Sequence, residues 1–159
     1  MRAKSSMSLF GVLFMCLAMN CGGTANDQGN PFGGGGSNAD YAPSSLTGKT
    51  LTADQMKSSM VFTSATHVEL PALQDPGEQW TGPTYTYRKT SSTIGSLTVE
   101  YTVGYSGSRE VDSFAFDASL VFSGPGIGHM TVEDTWTYDY GSGLSEKGSG
   151  TMDSDFVLK

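Results

Sequence analysis

Residues 84–103 read TYTYRKTSSTIGSLTVEYTV, and this stretch decides the fold class of the chain. Two arms of alternating apolar and polar residues are separated by a polar break that contains Gly95. Tyr85 and Tyr87 share one face of the first arm. One face of the second arm carries Leu97, Val99, Tyr101 and Val103. Because successive side chains of a strand point to opposite faces, this period of two predicts a β-hairpin.

The same alternation continues through the rest of the chain. It is clearest over residues 111–123, where one face carries Phe114, Phe116, Ala118, Leu120 and Phe122. Residues 129–140 and 148–159 repeat the period, and turns rich in Gly and Ser separate the runs. The pattern predicts an all-β fold, a single antiparallel meander of about seven or eight strands that closes as a small barrel or a flattened sandwich.

Two segments are less regular. Residues 52–60 fit either a short helix that begins at Thr52 or a strand, a turn and a return strand, and their β-rich flanks favour the second interpretation. Residues 71–83, PALQDPGEQWTGP, contain three of the six prolines of the chain. The prolines predict a long loop that carries Trp80.

The beginning of the chain predicts export. Arg2 and Lys4 precede the apolar run from Leu9 to Met19, which is too short to span a bilayer. Residues 1–21 are therefore predicted to be a secretory signal. The sequence around Cys21 resembles a bacterial lipoprotein processing site, which predicts a lipid on Cys21. Ordinary signal cleavage after Ala25 is the alternative. A lipid on Cys21 predicts a protein anchored in the bacterial cell envelope, and ordinary cleavage predicts a secreted protein, so both interpretations predict export.

The remaining composition limits what the exported part can do. Cys16 lies within the leader, so at most Cys21 is retained and no disulfide is available. Residues 22–45 are rich in Gly, Asn and Ser and predict a disordered linker, which leaves residues 46–159 as one β-domain. After the leader, seven basic residues face sixteen acidic ones, a net charge of −9 (7 − 16). This charge argues against nucleic acid and anionic membrane surfaces as partners.

Four motifs together resemble those of small all-β domains in exported bacterial proteins and lipoproteins. The motifs are SLTGKTL (45–51), TYTYRKTSS (84–92), LTVEYT (97–102) and FSGPGIG (122–128). Pro83 stands where that group usually has a small residue. The resemblance implies a meander fold for residues 45–159 and implies no activity. A looser resemblance to lipocalin-like barrels lacks their G-x-W motif, since Thr50 follows Gly48 in the place of the Trp.

No set of residues in the sequence compels a particular chemistry. The chain has only two histidines and no G-x-S-x-G nucleophile motif, so we predict no catalytic residue, metal or cofactor. Asp134 interrupts the inward series of its strand, so it is either displaced by a β-bulge or a buried carboxylate that faces a cavity. Trp80 and Trp136 belong to an aromatic set that packs in the core or stacks on sugars. The candidate ligand-binding residues are therefore Trp80, Asp134 and Trp136.

The function predicted from the sequence is a structural or binding role. We expect a monomeric, non-catalytic β-domain, tethered to a membrane through lipidated Cys21. The alternative is a lipocalin-like carrier of a small apolar ligand or a carbohydrate at the barrel mouth. An envelope hydrolase ranks third, because several carboxylates could meet across strands without any spacing that selects two of them.

Overall fold

The computed structural model describes residues 39–71, 73 and 76–159. The predicted signal peptide, Cys21 and residues 22–38 of the predicted linker lie outside the described residues. Eight strands are formed: β1 (Thr50–Ala53), β2 (Met60–Phe62), β3 (Val68–Glu69), β4 (Glu78–Lys89), β5 (Ile94–Tyr105), β6 (Val111–Gly124), β7 (Ile127–Asp139) and β8 (Ser145–Leu158). The described part of the chain contains no helix that could cross a membrane.

All eight strands belong to one antiparallel sheet with the order β3-β2-β1-β8-β7-β6-β5-β4. Except for β3 and β4, neighbours in sequence pair with each other, and β1 additionally pairs with β8. The two ends of the sheet, β3 and β4, approach each other but share only the isolated bridge between His67 and Thr84. The fold is therefore a nearly closed barrel with one unsealed seam, which confirms the all-β prediction.

The seam is held by contacts of Tyr85. Its backbone N–H donates to the carbonyl of Thr66 at 2.9 Å, and its hydroxyl donates to the carbonyl of Ser64 at 2.7 Å. Its ring packs edge-on against Phe62, with 4.7 Å between the ring centroids. A single side chain of β4 thus reaches the β2–β3 hairpin on the other side of the gap.

The central hairpin has the predicted faces. Tyr85 lies opposite Val99 and Tyr87 lies opposite Leu97, and the inward residues of β5 to β8 alternate with exposed ones. The inward positions fill the barrel with fully buried side chains, among them Leu97, Val99, Leu120, Met130 and Val132. Each long strand has one buried face and one solvent-exposed face, because only one face of the sheet packs against the core.

The predicted loop over residues 71–83 is wrong in its second half. β4 begins at Glu78, and Trp80 pairs with Val103 inside the strand. The Gly82–Pro83 pair is absorbed as an irregularity between Thr81 and Thr84, where Gly82 has a φ of +49°. A proline without an N–H is tolerated in a strand at a bulge or along an edge, and this part of β4 is the edge of the sheet.

Residues 52–60 form the strand, turn and return strand that their flanks favour, and no helix is present among them. Contacts with the barrel begin before Leu46, where the domain was predicted to start. Ala42 is buried and donates its N–H to the carbonyl of Ser92 at 2.8 Å, and the Tyr87 hydroxyl donates to the carbonyl of Pro43 at 3.0 Å. Residues 39–45, predicted as linker, therefore lie against the β4–β5 hairpin.

The up-and-down topology gives the barrel two distinct ends. We call the first the entry end: it contains residues 39–49, the turns 63–66, 90–93 and 124–126, and Lys159. We call the second the far end, which contains the connections β3–β4, β5–β6 and β7–β8. The short β1–β2 hairpin does not reach it, because Gln55 in its turn donates its N–H to the Ser154 hydroxyl at 3.3 Å. The first described residues and the last residue thus share one end.

Candidate functional site

A groove of about 440 Å³ crosses β4 to β7 on the outer face of the barrel. It is lined by residues 100–102 of β5, 113–115 of β6 and 135–137 of β7, together with the bulged part of β4. The middle residue of each of these three triplets points inward, so the groove runs over their backbone and between their outward neighbours. The site is therefore a feature of the wet face and not of the barrel interior.

The floor of the groove consists of two rows of short side chains. Thr102, Ser113 and Thr137 are partners in the strand register and form one row. Glu100 leads the second row, followed by Ala115 and Thr135. Neighbouring strands lie about 4.8 Å apart, so four strands give a floor roughly 14 Å long.

Side-chain size explains why the surface is hollow here. The next outward row contains Asp117 and Glu133, which lie directly opposite each other and project further than Ser, Ala or Thr. On the other side, β4 carries its bulge between Thr81 and Thr84, and both residues line the groove. A bulge bends its strand and increases the local twist, so it raises a rim beside the short side chains.

Beneath the groove, on the inner face, four aromatic rings pack in series across four strands. Trp80 stacks on Tyr101 with ring centroids 4.8 Å apart, and Tyr101 stacks on Phe114 at 4.9 Å. Phe114 meets Tyr138 edge-on at 6.1 Å. Both faces of Tyr101 are therefore covered by protein rings, and its exposure is 4%. This series stabilises the sheet and does not offer the ring of Tyr101 to a sugar.

Polar groups border this aromatic series. The indole N–H of Trp80 donates to the Glu78 carboxylate at 2.8 Å. Burial raises the pKa of the Tyr101 hydroxyl, and the nearby Tyr138, Asp134 and Glu78 raise it further. The hydroxyl of Tyr101 therefore remains a hydrogen-bond donor at all physiological pH values.

Asp134 is a buried carboxylate, and the bulge hypothesis for it is wrong. It lies in regular register between Phe116 of β6 and Gly150 of β8, and only 6% of it is exposed. Burial raises its pKa, while the backbone N–H groups of Asp134 itself and of Gly150 act in the opposite direction. The absent side chain of Gly150 makes the space, because a Cβ there would lie 2.6 Å from Asp134 Oδ1.

Trp136 has the same relationship to β8. A Cβ on Gly148 would lie 2.3 Å from Cζ2 of the Trp136 ring, so the indole occupies the place of a missing side chain. Trp136 and Asp134 are thus consecutive inward residues of β7, each packed over a glycine. Trp80 is three strands away on β4 and connects to them through Tyr101 and Phe114.

The three residues predicted to bind a ligand do not form one pocket. Of these, Trp136 alone belongs to the groove lining. The sequence analysis missed the hydroxyl rows, for which the signal is the frequency of Thr and Ser at outward positions of β5 to β7. That composition is also ordinary for exposed strands, and the concavity that distinguishes this site depends on the bulge in β4.

The other polar clusters have structural partners. His129 lies 2.9 Å from Asp155 and 3.7 Å from Asp153, and its hydrogen bond with Asp155 raises its pKa. Asp112 is buried and accepts hydrogen bonds from the Tyr105 hydroxyl at 2.7 Å and the Asp139 N–H at 3.2 Å. Across residues 39–71, 73 and 76–159, no group of three or more His, Cys, Asp or Glu side chains is arranged to hold a metal ion.

Comparison with protein-family models, with curated proteins and with solved structures finds no match to this chain.

Proposed function

We propose that this chain is an exported, membrane-tethered, non-catalytic domain that binds a ligand in the outer groove. The observation that carries the proposal is the groove itself. Its volume of about 440 Å³ lies within the range of roughly 300–1,000 Å³ that is typical of small-molecule sites. It also lies where short side chains expose the floor, so a ligand reaches it without any movement of the sheet.

A carbohydrate is the class of ligand that the lining suits best. Each Ser or Thr hydroxyl both donates and accepts hydrogen bonds, as the hydroxyl groups of a sugar do. The row Thr102, Ser113 and Thr137 presents three such groups at the spacing of the strands, and Glu100 adds an acceptor. The floor is long enough for a short oligosaccharide that lies across the strands.

The lining favours binding over hydrolysis. Glu100 is the one carboxylate among the lining residues of this groove. Glycoside hydrolysis generally uses two carboxyl groups on opposite sides of the scissile bond. A single carboxylate surrounded by hydroxyls provides recognition without the second acid or base.

The carrier alternative, with a ligand inside the barrel, has less support. The interior of the barrel is filled by buried apolar side chains, including Phe62, Phe116 and Phe122. Interiors packed in this way leave few voids larger than a water molecule. The aromatic series from Trp80 to Tyr138 fills the inner face beside the groove as well.

A titration of soluble oligosaccharides, followed by the fluorescence of Trp80 and Trp136, tests the binding proposal. Thr102→Val and Thr137→Val keep the β-branched shape but remove a hydroxyl, so we expect each to weaken binding about fivefold, since one neutral hydrogen bond contributes about 1 kcal/mol. Thr151→Val is the matched control, because Thr151 is exposed on β8 and does not line the groove. Equal affinities for all four proteins would rule the groove out as the site.

The tether has a separate test. Cys21→Ser should release the protein from the membrane fraction of a bacterial host, because it removes the predicted lipid attachment. Cys16→Ser is the control, since Cys16 lies inside the predicted leader and should leave the membrane fraction unchanged. If Cys21→Ser remains as membrane-bound as the wild type, the protein is not anchored by a lipid on Cys21.

A further inference from the structure

Four large aliphatic side chains are exposed in a continuous strip at the entry end of the barrel. Their exposed fractions are 37% for Ile94, 46% for Val121, 49% for Ile127 and 38% for Val157. Ile94 lies opposite Val121, and Ile127 lies opposite Val157. The strip crosses four strands because Val121 pairs with His129, two residues from Ile127 on the same face of β7. Contiguous apolar surface of this kind marks contact with a partner or a membrane.

Basic residues flank the strip on both sides. Arg88 and Lys89 end β4, next to Ile94 on β5. Lys49 precedes β1, and Lys159 follows Val157 and pairs with Thr50 through backbone hydrogen bonds. Four of the seven basic residues that follow the leader are thus gathered at this end. Two carboxylates lie among them: Asp40 is ion-paired with Lys89, and Asp155, two residues from Val157 on the same face of β8, is paired with His129.

The far end has the opposite charge. Its connections and adjoining strand residues carry five acidic groups, Glu78, Glu110, Asp112, Asp139 and Glu146, against two basic ones, Arg109 and Lys147. The two ends lie roughly 30 Å apart, given strands of 12–14 residues and the tilt of strands in a barrel. Charge interactions are screened within about 8 Å at physiological ionic strength, so the overall negative charge of the protein does not determine what the entry end meets.

The chain also enters the barrel at this end. Seventeen residues, 22–38, separate Cys21 from Ala39, and Ala42 is fixed to the β4–β5 turn through Ser92. The Gly- and Asn-rich composition of this segment predicts a flexible linker, and a flexible linker of this length has a root-mean-square span of about 20 Å. A lipid on Cys21 would therefore keep the entry end closer to the bilayer than the far end.

From these three observations we propose that the entry end is a membrane-contact surface, in which the strip Ile94, Val121, Ile127 and Val157 lies against the lipid interface. The flanking basic residues meet the phosphate groups of the lipids. The inference rests on the proposed tether through Cys21 and adds an orientation to it. The outer groove lies nearer the far end, because its lining residues Ser113 and Thr135 stand close to the far-end termini of β6 and β7. It is then held away from the bilayer and open to a ligand.

The test measures the depth of a fluorescent probe on the full lipid-modified protein. A single cysteine replaces Ser123, beside the strip, or Ser142, in the far connection, and carries an environment-sensitive probe. The protein is reconstituted into vesicles of phosphatidylethanolamine and phosphatidylglycerol that contain a lipid-bound quencher. We expect at least a threefold greater quenching of the probe at position 123 than of the probe at position 142. Similar quenching at the two positions would overturn the proposal.

Paired substitutions identify the strip as the cause. Val121→Ser with Ile127→Ser should lower the quenching at position 123 to about that at position 142, because the two apolar side chains that would enter the lipid are removed. Val111→Ser with Leu144→Ser is the matched control at the far end, where the exposed fractions are 45% and 69%, and should leave the quenching unchanged. A second result would also overturn the proposal: cross-linking between two copies of the chain at position 123, without quenching by the lipid-bound quencher.

The design separates this inference from the tether. If the tether fails, the wild-type protein without an added cysteine is not lipid-modified and does not remain with the vesicles. If the tether holds and the orientation fails, the protein stays with the vesicles while both probes respond alike. The two outcomes are read from different measurements on the same sample.

Discussion

Glycine at position 148 is required by the ring of Trp136. A Cβ at this position would lie 2.3 Å from Cζ2 and 2.4 Å from Cε2 of the indole, well inside contact distance. To avoid the clash, the indole would have to turn away from β8 and lose its place over Gly148. We therefore predict that Gly148→Ala lowers the free energy of unfolding by about 1–3 kcal/mol, which is typical of an overpacked site. Urea denaturation followed by Trp fluorescence measures the change.

Gly104→Ala is the control for this substitution. Gly104 lies in β5, has no positive φ, and its added Cβ would be 3.7 Å from the carbonyl oxygen of Gln79, an ordinary contact. Replacement of a strand glycine without a clash is expected to be neutral or slightly stabilising, because it reduces the freedom of the unfolded chain. A loss of stability at Gly104 as large as that at Gly148 would contradict the proposed role of the indole.

Asp134 should make stability depend on pH. Burial raises its pKa in the folded protein above the ordinary value of 3.8, so the native state binds this proton more tightly than the unfolded chain. Its contribution is fully present below about pH 3.8 and is lost as the pH rises through the raised pKa. Asp134→Asn, which carries no charge, should therefore remove this part of the decline in the urea midpoint between about pH 4 and 7. Asp54→Asn is the control, because Asp54 is exposed and its substitution should leave the decline unchanged. An identical pH profile for Asp134→Asn and the wild type would show that Asp134 does not titrate in this range.

At the scale of elements, alternation predicted the strands that have one clean apolar face. β5, β6 and β7 lie where their periods of two place them, because burial of one face fixes the register of a strand. β4 and β8 extend beyond their predicted starts at residues 84 and 148, to Glu78 and Ser145. The extra residues of β8, Ser145, Glu146 and Lys147, include no apolar side chain and therefore give no alternation.

The groove could not be predicted from sequence for a related reason. The Ser and Thr residues at the outward positions of β5 to β7 are visible in the sequence. Whether they form one row depends on which residues of neighbouring strands lie side by side. That adjacency is a property of register, and the rim is a property of the bulge between Thr81 and Thr84. Gly82 and Pro83 signal an interruption, and only pairing with β5 shows that the strand continues beyond it.

At the scale of the whole molecule, closure was predicted as either a barrel or a sandwich, and the pairing of β1 with β8 decides for a nearly closed barrel. Residues 51–53 meet residues 156–158 in this pairing, so closure joins the first strand of the domain to the last. Sequence alternation assigns faces to strands but does not assign partners to the first and last strands. The remaining gap between β3 and β4 is therefore the weakest part of the closure.

Tyr85 should control this seam. Tyr85→Phe keeps the ring against Phe62 and removes the hydroxyl that donates to the Ser64 carbonyl at 2.7 Å. We predict a loss of about 1 kcal/mol in the free energy of unfolding and faster hydrogen exchange of the Tyr85 amide, which bonds to Thr66 across the gap. Tyr87→Phe is the matched control, because its hydroxyl donates to Pro43 and holds residues 39–45 instead. Tyr87→Phe should speed hydrogen exchange at the Ala42 amide while the Tyr85 amide stays protected. If the Tyr85 amide exchanges equally fast in both variants, the Tyr85 hydroxyl does not hold the seam.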